Sequence, residues 1–431
     1  MNRTLCIGML CAAALTTATA QEKPPATTVL RCGQLLDVRT GKMLPNQAIA
    51  VREDKIESIS GSSPAGANVI DLSRMTCLPG LIDMHTHLIG DSTTEYDVAE
   101  PLKKSEAQMA YEAIANARAT LEAGFTSVRD LGTFRAFVDV ALRDAIDKGT
   151  LPGPRMQPAG AYVTISGGAG DMTGFAHDVE LPRSTRFGVA DGPDQVRRVV
   201  REIIRQRAGV IKVLATGAVL TLYSQPGAQE FTEAELRAAV EEASKAGLRV
   251  AAHAHAPAGA KAAVLAGVAS IEHGSFLDEE VLQLMKQRGT FLVPDMYDHE
   301  VIMANKSYPA EYRAKEEIAG EAQKKVLRRA LELGVKIAFG TDSGVIRHGD
   351  NGKQFATYVA NGMTPLFAIQ TATVNAAALL GWDDRVGSLE PGKFADVIAV
   401  EGNPLEDIRA MERVRFVMKA GRVEKTAAVA R

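Results

Sequence analysis

Histidines occur at alternate positions in two short stretches of this sequence, DMHTHL at residues 83–88 and RVAAHAHA at residues 249–256. Apolar residues accompany both pairs, and residues i and i+2 of a β-strand point to the same face. Both imidazoles of a pair can therefore approach one metal ion. SIEHG and FGTDSG place His273 and Asp342 after similar apolar runs. Imidazole and carboxylate together are typical ligands of zinc or a similar divalent ion.

Lys212 interrupts the apolar stretch VIKVLATG at residues 210–217, which otherwise has the composition of a buried strand. Lysine is rarely buried without a partner. Burial beside metal cations would lower the pKa of the amine, and a neutral amine can react with carbon dioxide to form a carbamate, an anionic ligand with two oxygens. We therefore expect a carbamate on Lys212 that bridges two ions. The alternatives are a side chain that reaches solvent at the strand end, or one that pairs with a carboxylate.

The elements that would position these residues are short apolar segments that alternate with helical patterns between about residues 80 and 385. Eight of the segments are predicted to be strands: PGLIDMHTHL, FTSVRDLG, PRMQPAGAYVT, VIKVLATG, RVAAHAHA, ASIEHGSF, TFLVPDM and KIAFGTDSG. Strand–helix alternation is typical of parallel βαβ units, and eight units indicate an α/β fold with a (β/α)₈ TIM barrel. The candidate ligands would then lie at the carboxyl ends of the barrel strands, where enzymes with this fold keep their active sites.

Both ends of the chain are rich in short β-like segments, such as TTVLRCGQLLDV near the start and FADVIAVEG near the end. Residues 21–79 and 386–431 are therefore predicted to form one small β-sandwich domain built from both chain ends, beside a barrel of residues 80–385. Cys32 and Cys77 lie in the first of these parts and could pair, although two cysteines do not make a disulfide framework.

Residues 1–20 have the pattern of a secretory signal peptide, with Arg3, an apolar stretch and a small-residue cleavage site at Ala18-Thr19-Ala20. We therefore expect a secreted or periplasmic protein; the alternative is a buried N-terminal helix. The chain carries 49 Lys and Arg against 52 Asp and Glu, a balance that favours neither nucleic acid nor an anionic membrane as a partner.

Taken together, these motifs resemble the metal-dependent amidohydrolase superfamily over essentially the whole mature chain. The matching features are LPGLIDMHTH, the strand-four lysine, HAH, EHG, TDSG and the trailing GSLEPGKFADVIAV. Within the superfamily the chain looks most like the imidazolonepropionase-related branch. That branch includes Xaa-Pro dipeptidases, carboxypeptidase-like enzymes and ochratoxin-hydrolysing amidohydrolases.

The resemblance implies a binuclear site that holds two divalent ions, with zinc as the ion that we expect, although manganese and cobalt suit the same ligands. The implied ligands are His85, His87 and Asp342 for the more buried ion, His253 and His273 for the second, and carbamylated Lys212 as the bridge. The motif allows either histidine of the HAH pair as the strand-five ligand. The family pattern favours His253, which leaves His255 to face the substrate.

Substrate contacts must come from the loops that follow the strands. Tyr223 is a candidate catalytic residue because a tyrosine in this loop polarises the scissile carbonyl in similar dipeptidases, but it could equally be a packed loop residue. Tyr162, Arg347 and His348 are further candidates, the last two for a substrate carboxylate. Arg129 and Asp130 are expected to form an internal ion pair.

The sequence thus predicts an amide hydrolase that cleaves the bond to a C-terminal amino acid in dipeptides, N-acyl amino acids or ochratoxin-like amides. The nucleophile would be a metal-bridging hydroxide, with Asp342 as general base and then general acid. One alternative is a cyclic-amide hydrolase or deaminase of the same superfamily, and another is a catalytically silent scaffold. The expected partner is a small-molecule substrate, and the resemblance implies a homo-oligomer.

Overall fold

The computed structural model describes residues 27–62, 66–92 and 97–426 of the 431-residue chain. The predicted signal peptide lies outside the described residues. The strands, in chain order, are β1 (Thr28–Asp37), β2 (Lys42–Arg52), β3 (Lys55–Ser60), β4 (Asn68–Pro79), β5 (Leu81–Thr86), β6 (Phe125–Asp130), β7 (Arg155–Pro158), β8 (Tyr162–Val163), β9 (Ile211–Leu214), β10 (Val250–Ala254), β11 (Ser270–His273), β12 (Phe291–Val293), β13 (Val397–Glu401), β14 (Phe416–Lys419) and β15 (Arg422–Lys425).

The α-helices of the described residues lie mostly between the strands of the central part. They are α1 (Glu100–Lys103), α2 (Glu106–Glu122), α3 (Val138–Asp147), α4 (Pro193–Arg205), α5 (Glu233–Lys245), α6 (Pro257–Ala266), α7 (Glu279–Arg288), α8 (Tyr297–Ala304), α9 (Ala310–Leu333), α10 (Lys353–Ala360), α11 (Pro365–Gln370) and α12 (Ala376–Leu380). Within the described part, no helix is both long and apolar enough to cross a membrane.

One seven-stranded sheet takes its strands from both ends of the described chain, in the order β15-β14-β13-β4-β1-β2-β3. The predicted small domain built from both chain ends is therefore a single sheet in which β4 from the N-terminal part pairs directly with β13 from the C-terminal part. Cys32 in β1 and Cys77 in β4 form a disulfide between neighbouring strands. The two ends of the chain are therefore held together in one sheet domain.

Two parallel sheets form the central part of the molecule, β5-β6-β7 and β8-β9-β10-β11-β12. Four of these strands are buried along their whole length, as expected when both faces of a parallel sheet are covered: β5, β6, β9 and β10. The single third strand predicted over PRMQPAGAYVT is divided into β7 and β8, because Gly160 between them adopts the left-handed region with φ +77°. The parallel α/β class is confirmed.

The predicted eighth strand, residues 336–344, is not a regular strand. Ala338 donates a backbone hydrogen bond to β12 at 3.0 Å, and Met84 of β5 donates one to the carbonyl of Phe339 at 2.8 Å. These bonds place the segment between β12 and β5. The segment forms only isolated bridges, Ile337 with Leu292 and Ser343 with Thr86, and Asp342 has a φ of +53° in the left-handed region. The closed eight-stranded barrel remains a prediction.

Capping residues begin two of the helices, and a backbone hydrogen bond connects a third helical turn to the segment after β12. Thr232 and Glu235 form a capping box at the start of α5, and the Thr364 hydroxyl accepts the Phe367 N–H at the start of α11. A π-helical turn, Thr371–Asn375, joins α11 to α12. The Thr371 carbonyl accepts the N–H of Phe339 at 3.0 Å, which ties this helix to the segment that carries Asp342.

Candidate metal centre

The residues predicted to bind metal come together in one cavity of about 280 Å³ at the carboxyl ends of the parallel strands. They reach it from β5, β9, β10, β11 and the segment after β12, because parallel strands direct their carboxyl ends to the same edge. The predicted ligands that line the cavity are His85, His87, Lys212, His253, His255, His273 and Asp342.

Asp342 lies between the two histidines of the first strand. Its Oδ1 is 3.2 Å from His87 Nε2 and 3.6 Å from His85 Nε2. Burial would raise the pKa of Asp342, but its interactions with the neighbouring imidazoles, including the hydrogen bond from His87, outweigh burial and hold its pKa well below the usual range. Burial also lowers the pKa of His85 well below its ordinary value. The group therefore offers an ionised carboxylate beside a neutral imidazole, the protonation states that a cation requires.

A second group of imidazoles stands opposite. Single nitrogen atoms of His253, His255 and His273 all lie within 4.8 Å of one another. Burial lowers the pKa of both His253 and His255 well below the ordinary value, so both rings are neutral at pH 7. His253 contacts the carbonyl of Gly217 through Nε2 at 3.1 Å, and His255 contacts Ser275 through Nδ1 at 3.0 Å. The geometry brings all three rings to one point and leaves the choice between His253 and His255 as a prediction.

Lys212 lies between these groups, on β9, and is only 2% exposed. Burial lowers the pKa of its amine to about 8, although nearby Glu272 and Asp342 act in the opposite direction. An appreciable fraction of the amine is therefore neutral and nucleophilic near pH 8.

Two of the predicted ligand positions have strained backbones. His273 has φ +66° and Asp342 has φ +53°, both in the left-handed region that residues with a Cβ seldom occupy. Such conformations cost on the order of 1–3 kcal/mol and persist where the surrounding structure enforces them. The strain marks the ends of β11 and of the segment after β12 as functional positions.

Several buried polar atoms of the site have a close neighbour but no hydrogen bond of good geometry among the described residues. They include Nδ1 of His85 and Oε2 of Glu272, which are 3.3 Å apart, and Oδ1 of Asp342. Buried polar atoms are nearly always satisfied, and such a group fits a site that a cation completes. One nitrogen or oxygen from each of His85, His273, Asp295 and Asp342 lies within 4.8 Å of the others. The donor set fits a divalent metal ion.

Asp295 and Glu272 are site residues that the sequence did not predict. Glu272 is fully buried and forms an ion pair with Arg129 at 2.8 Å. The expected pair between Arg129 and Asp130 is wrong, because Asp130 turns away and accepts the N–H of Leu88 at 2.6 Å. The signal was present in part, since both carboxylates follow or occupy apolar runs, in SIEH and FLVPD.

Of the residues predicted to contact the substrate, some line the cavity and others do not. Tyr162 lines the cavity, and its hydroxyl donates to the carbonyl of Gly132 at 3.2 Å. Tyr223 is 80% exposed and lies outside the described lining, although its neighbours Leu220 and Leu222 contribute to it.

Arg347 is exposed and also lies outside the cavity lining. His348 is buried, but it contacts Ser343 at 3.0 Å and the Gly90 carbonyl at 2.8 Å instead of the cavity. Neither side chain lines the described cavity, and their contact with a substrate carboxylate stays a prediction.

Part of the cavity lining is apolar and is called the apolar wall below. Its side chains are Phe134, Met172, Val219, Leu220, Leu222, Ile302 and Val345. The cavity therefore combines a polar floor of possible metal ligands with an apolar wall, the arrangement expected of a small-molecule site.

Residues 76–423 match the model of the amidohydrolase family. The chain belongs to the amidohydrolase family. It is 34% identical over 421 residues to ochratoxinase of Aspergillus niger, covering 92% of this chain and 86% of that protein. It is 23% identical over 427 residues to imidazolonepropionase of Caldanaerobacter subterraneus, covering 92% of this chain and 94% of the relative.

Solved structures agree with this assignment. A Xaa-Pro dipeptidase with bound methionine superposes with a TM-score of 0.87 and 38% identity, over 92% of this chain and 99% of the other. The A. niger ochratoxinase structure gives a TM-score of 0.82 and 31% identity, over 95% and 99% of the two chains. These neighbours imply a TIM barrel with an added sheet domain. The predicted superfamily is confirmed, and this amidohydrolase is a hydrolase acting on C–N bonds.

Proposed function

We propose that this amidohydrolase is a binuclear, metal-dependent enzyme that releases a C-terminal amino acid from dipeptides, N-acyl amino acids or ochratoxin-like amides. The observation that carries the proposal is the convergence of five histidines, Lys212 and Asp342 on one cavity. Relatives described as an ochratoxinase and a Xaa-Pro dipeptidase support this class of substrate.

The residues that would hold two ions, which we propose to be zinc, fall into two groups. His85, His87 and Asp342 would hold one ion, and His253 and His273 the other, with a carbamate on Lys212 between them. Ions bound there would generate a nucleophile from water at neutral pH and polarise the scissile carbonyl. The lowered pKa of Lys212 supports carbamate formation, because only the neutral amine attacks carbon dioxide.

Asp342 would move the proton that hydrolysis requires. Its carboxylate lines the cavity, is ionised, and has Oδ1 3.2 Å from Nε2 of His87. It would accept a proton from water and then donate it to the leaving nitrogen as the C–N bond breaks.

The apolar wall would bind the side chain or aryl group of the substrate. Burying such a group there releases about 25 cal/mol for each Å² of apolar surface removed from water. The substrate would therefore present an apolar group to this wall and its amide bond to the histidine cluster.

We also propose that the protein is exported and acts in an oxidising compartment. The predicted signal peptide suggests this location, and the disulfide between Cys32 and Cys77 supports it, because disulfides persist mainly in such compartments.

The test is hydrolysis of a panel of dipeptides and N-acyl amino acids, ochratoxin-like aryl amides included. We expect Asp342→Asn to lower kcat/KM about 10²–10⁴-fold. We expect Lys212→Ala to lower both kcat/KM and the amount of metal that the protein binds. Asp396→Asn is the matched control, because Asp396 is a buried carboxylate paired with Arg155 beside the sheet domain. Full activity in both site variants would show that the proposed site is wrong.

A further inference from the structure

Asp295 follows β12 and lies behind the histidine cluster. It is 1% exposed, and its Oδ2 is 2.7 Å from Nδ1 of His273. Asp295 is absent from the described lining of the cavity, whereas His273 and Asp342 line it. Its carboxylate therefore contacts the side of the His273 ring that faces away from the cavity.

Gln323 of α9 fixes both members of this pair. Its Nε2 donates to the backbone carbonyl of His273 at 3.0 Å and to Oδ1 of Asp295 at 3.5 Å. Gln323 is itself buried, on a helix of 24 residues. One amide thus holds the carbonyl of a residue with a strained, left-handed backbone and the carboxylate that contacts its ring.

We propose that Asp295 is a positioning residue that holds His273 in the tautomer with a proton on Nδ1 and so directs Nε2 toward the metal. The inference rests on the metal centre proposed above. A carboxylate that accepts Nδ1–H fixes the orientation of the ring and makes Nε2 a stronger ligand. Gln323 supports this role because it donates to both Asp295 and the His273 carbonyl and so fixes their relative position.

The rival role for Asp295 is that of a direct ligand. Its carboxylate oxygen lies within 4.8 Å of single atoms of His85, His273 and Asp342, and 3.9 Å from Nδ1 of His85. The 2.7 Å contact with His273 and the position outside the cavity lining favour positioning. A direct ligand role predicts that the Asp295→Asn variant loses one bound ion, whereas a positioning role predicts an unchanged number of ions.

The experiment compares wild type, Asp295→Asn and the control Asp396→Asn by competition for zinc with a chromophoric chelator. Wild type must bind zinc, or the proposed function itself fails. We expect Asp295→Asn to bind the same number of ions at saturation with an affinity about 10–100-fold weaker. The control, which removes a buried charge away from the site, should keep the wild-type affinity.

Two results would overturn the inference while leaving the proposed function intact. Unchanged zinc affinity in Asp295→Asn would show that the carboxylate does not position His273. Loss of one ion at saturation would show that Asp295 is a ligand.

If Asp295→Asn does not fold, nitrogen NMR of zinc-loaded wild type labelled with ¹⁵N-histidine decides the same point. The His273 signals are identified by their loss in His273→Gln. We expect Nδ1 to carry the proton, and an unprotonated Nδ1 would refute the proposal.

Discussion

Lys212 places an amine near buried imidazoles and the carboxylates of Glu272, Asp295 and Asp342, within the buried parallel strand β9. Burial lowers the pKa of this amine to about 8, and an ammonium ion beside two metal ions would be repelled. The ammonium first loses a proton; the neutral amine then forms an N–C bond with carbon dioxide and releases a second proton, which leaves an anionic carbamate. We therefore propose that Lys212 serves the site as a carbamate.

The carbamate can be observed directly by ¹³C NMR after zinc-loaded protein is equilibrated with ¹³C-bicarbonate. We expect one carbamate resonance that Lys212→Ala lacks, because no other lysine lines the described cavity. Carbamylation of metal-free protein should increase as the pH rises through about 8, the pKa of the amine, since the neutral form is the reactant. A zinc-loaded, active protein without this resonance would exclude the bridge.

At the level of single residues, the candidate ligands could be predicted because each follows an apolar run, and strand geometry sends such residues to one edge. Asp295 was missed because a lone Asp after a Val-Pro pair has no repeated spacing to distinguish it from a turn residue. Tyr223, Arg347 and His348 lie in loops, where side-chain direction depends on backbone angles that no periodicity encodes.

Two loops join to form one side of the cavity, and Glu230 connects them. Residues 169–173 and 218–222 both contribute lining atoms. The Glu230 carboxylate accepts the N–H of Ala169 at 2.9 Å and the hydroxyl of Ser224 at 3.3 Å. Burial raises the pKa of Glu230 to about 7, although these hydrogen bonds act in the opposite direction.

This pKa predicts a pH-dependent stability. A carboxyl whose pKa is raised on folding binds its proton more tightly in the folded state. Its stabilising contribution is therefore complete below about pH 4.5 and is lost as the pH rises through about 7. The free energy of unfolding of Glu230→Gln, relative to that of wild type, should therefore be higher at pH 8.5 than at pH 4.5 by on the order of 2–3 kcal/mol. Urea unfolding at both pH values measures the difference, and a constant difference would contradict the raised pKa.

Among the elements, the parallel strands and their helices could be predicted because short apolar runs alternate with helical patterns and capping residues. The third predicted strand is divided at Gly160, which has positive φ, and the eighth forms only isolated bridges on either side of the positive-φ backbone of Asp342. A sequence pattern identifies a strand by its apolar residues, and it carries little information about a backbone turn that the surrounding structure imposes.

At the scale of the whole molecule, the sheet domain holds the two chain ends together beside the parallel sheets. Its disulfide closes a loop between Cys32 and Cys77, which are 45 residues apart. Replacing both cysteines by alanine should lower the free energy of unfolding by about 2–4 kcal/mol, because the unfolded chain regains freedom. Urea unfolding measures the loss. Amide hydrolysis at 25 °C should stay at the wild-type level, since neither cysteine lines the described cavity.

The most direct test of the account measures metal content and amide hydrolysis on the same preparation. We expect about two divalent ions per chain, loss of hydrolysis in step with their removal by a chelator, and recovery on addition of zinc. Full hydrolysis of the same substrate by metal-free protein would contradict the central claim that the histidine–lysine–aspartate cluster is a metal-dependent catalytic site.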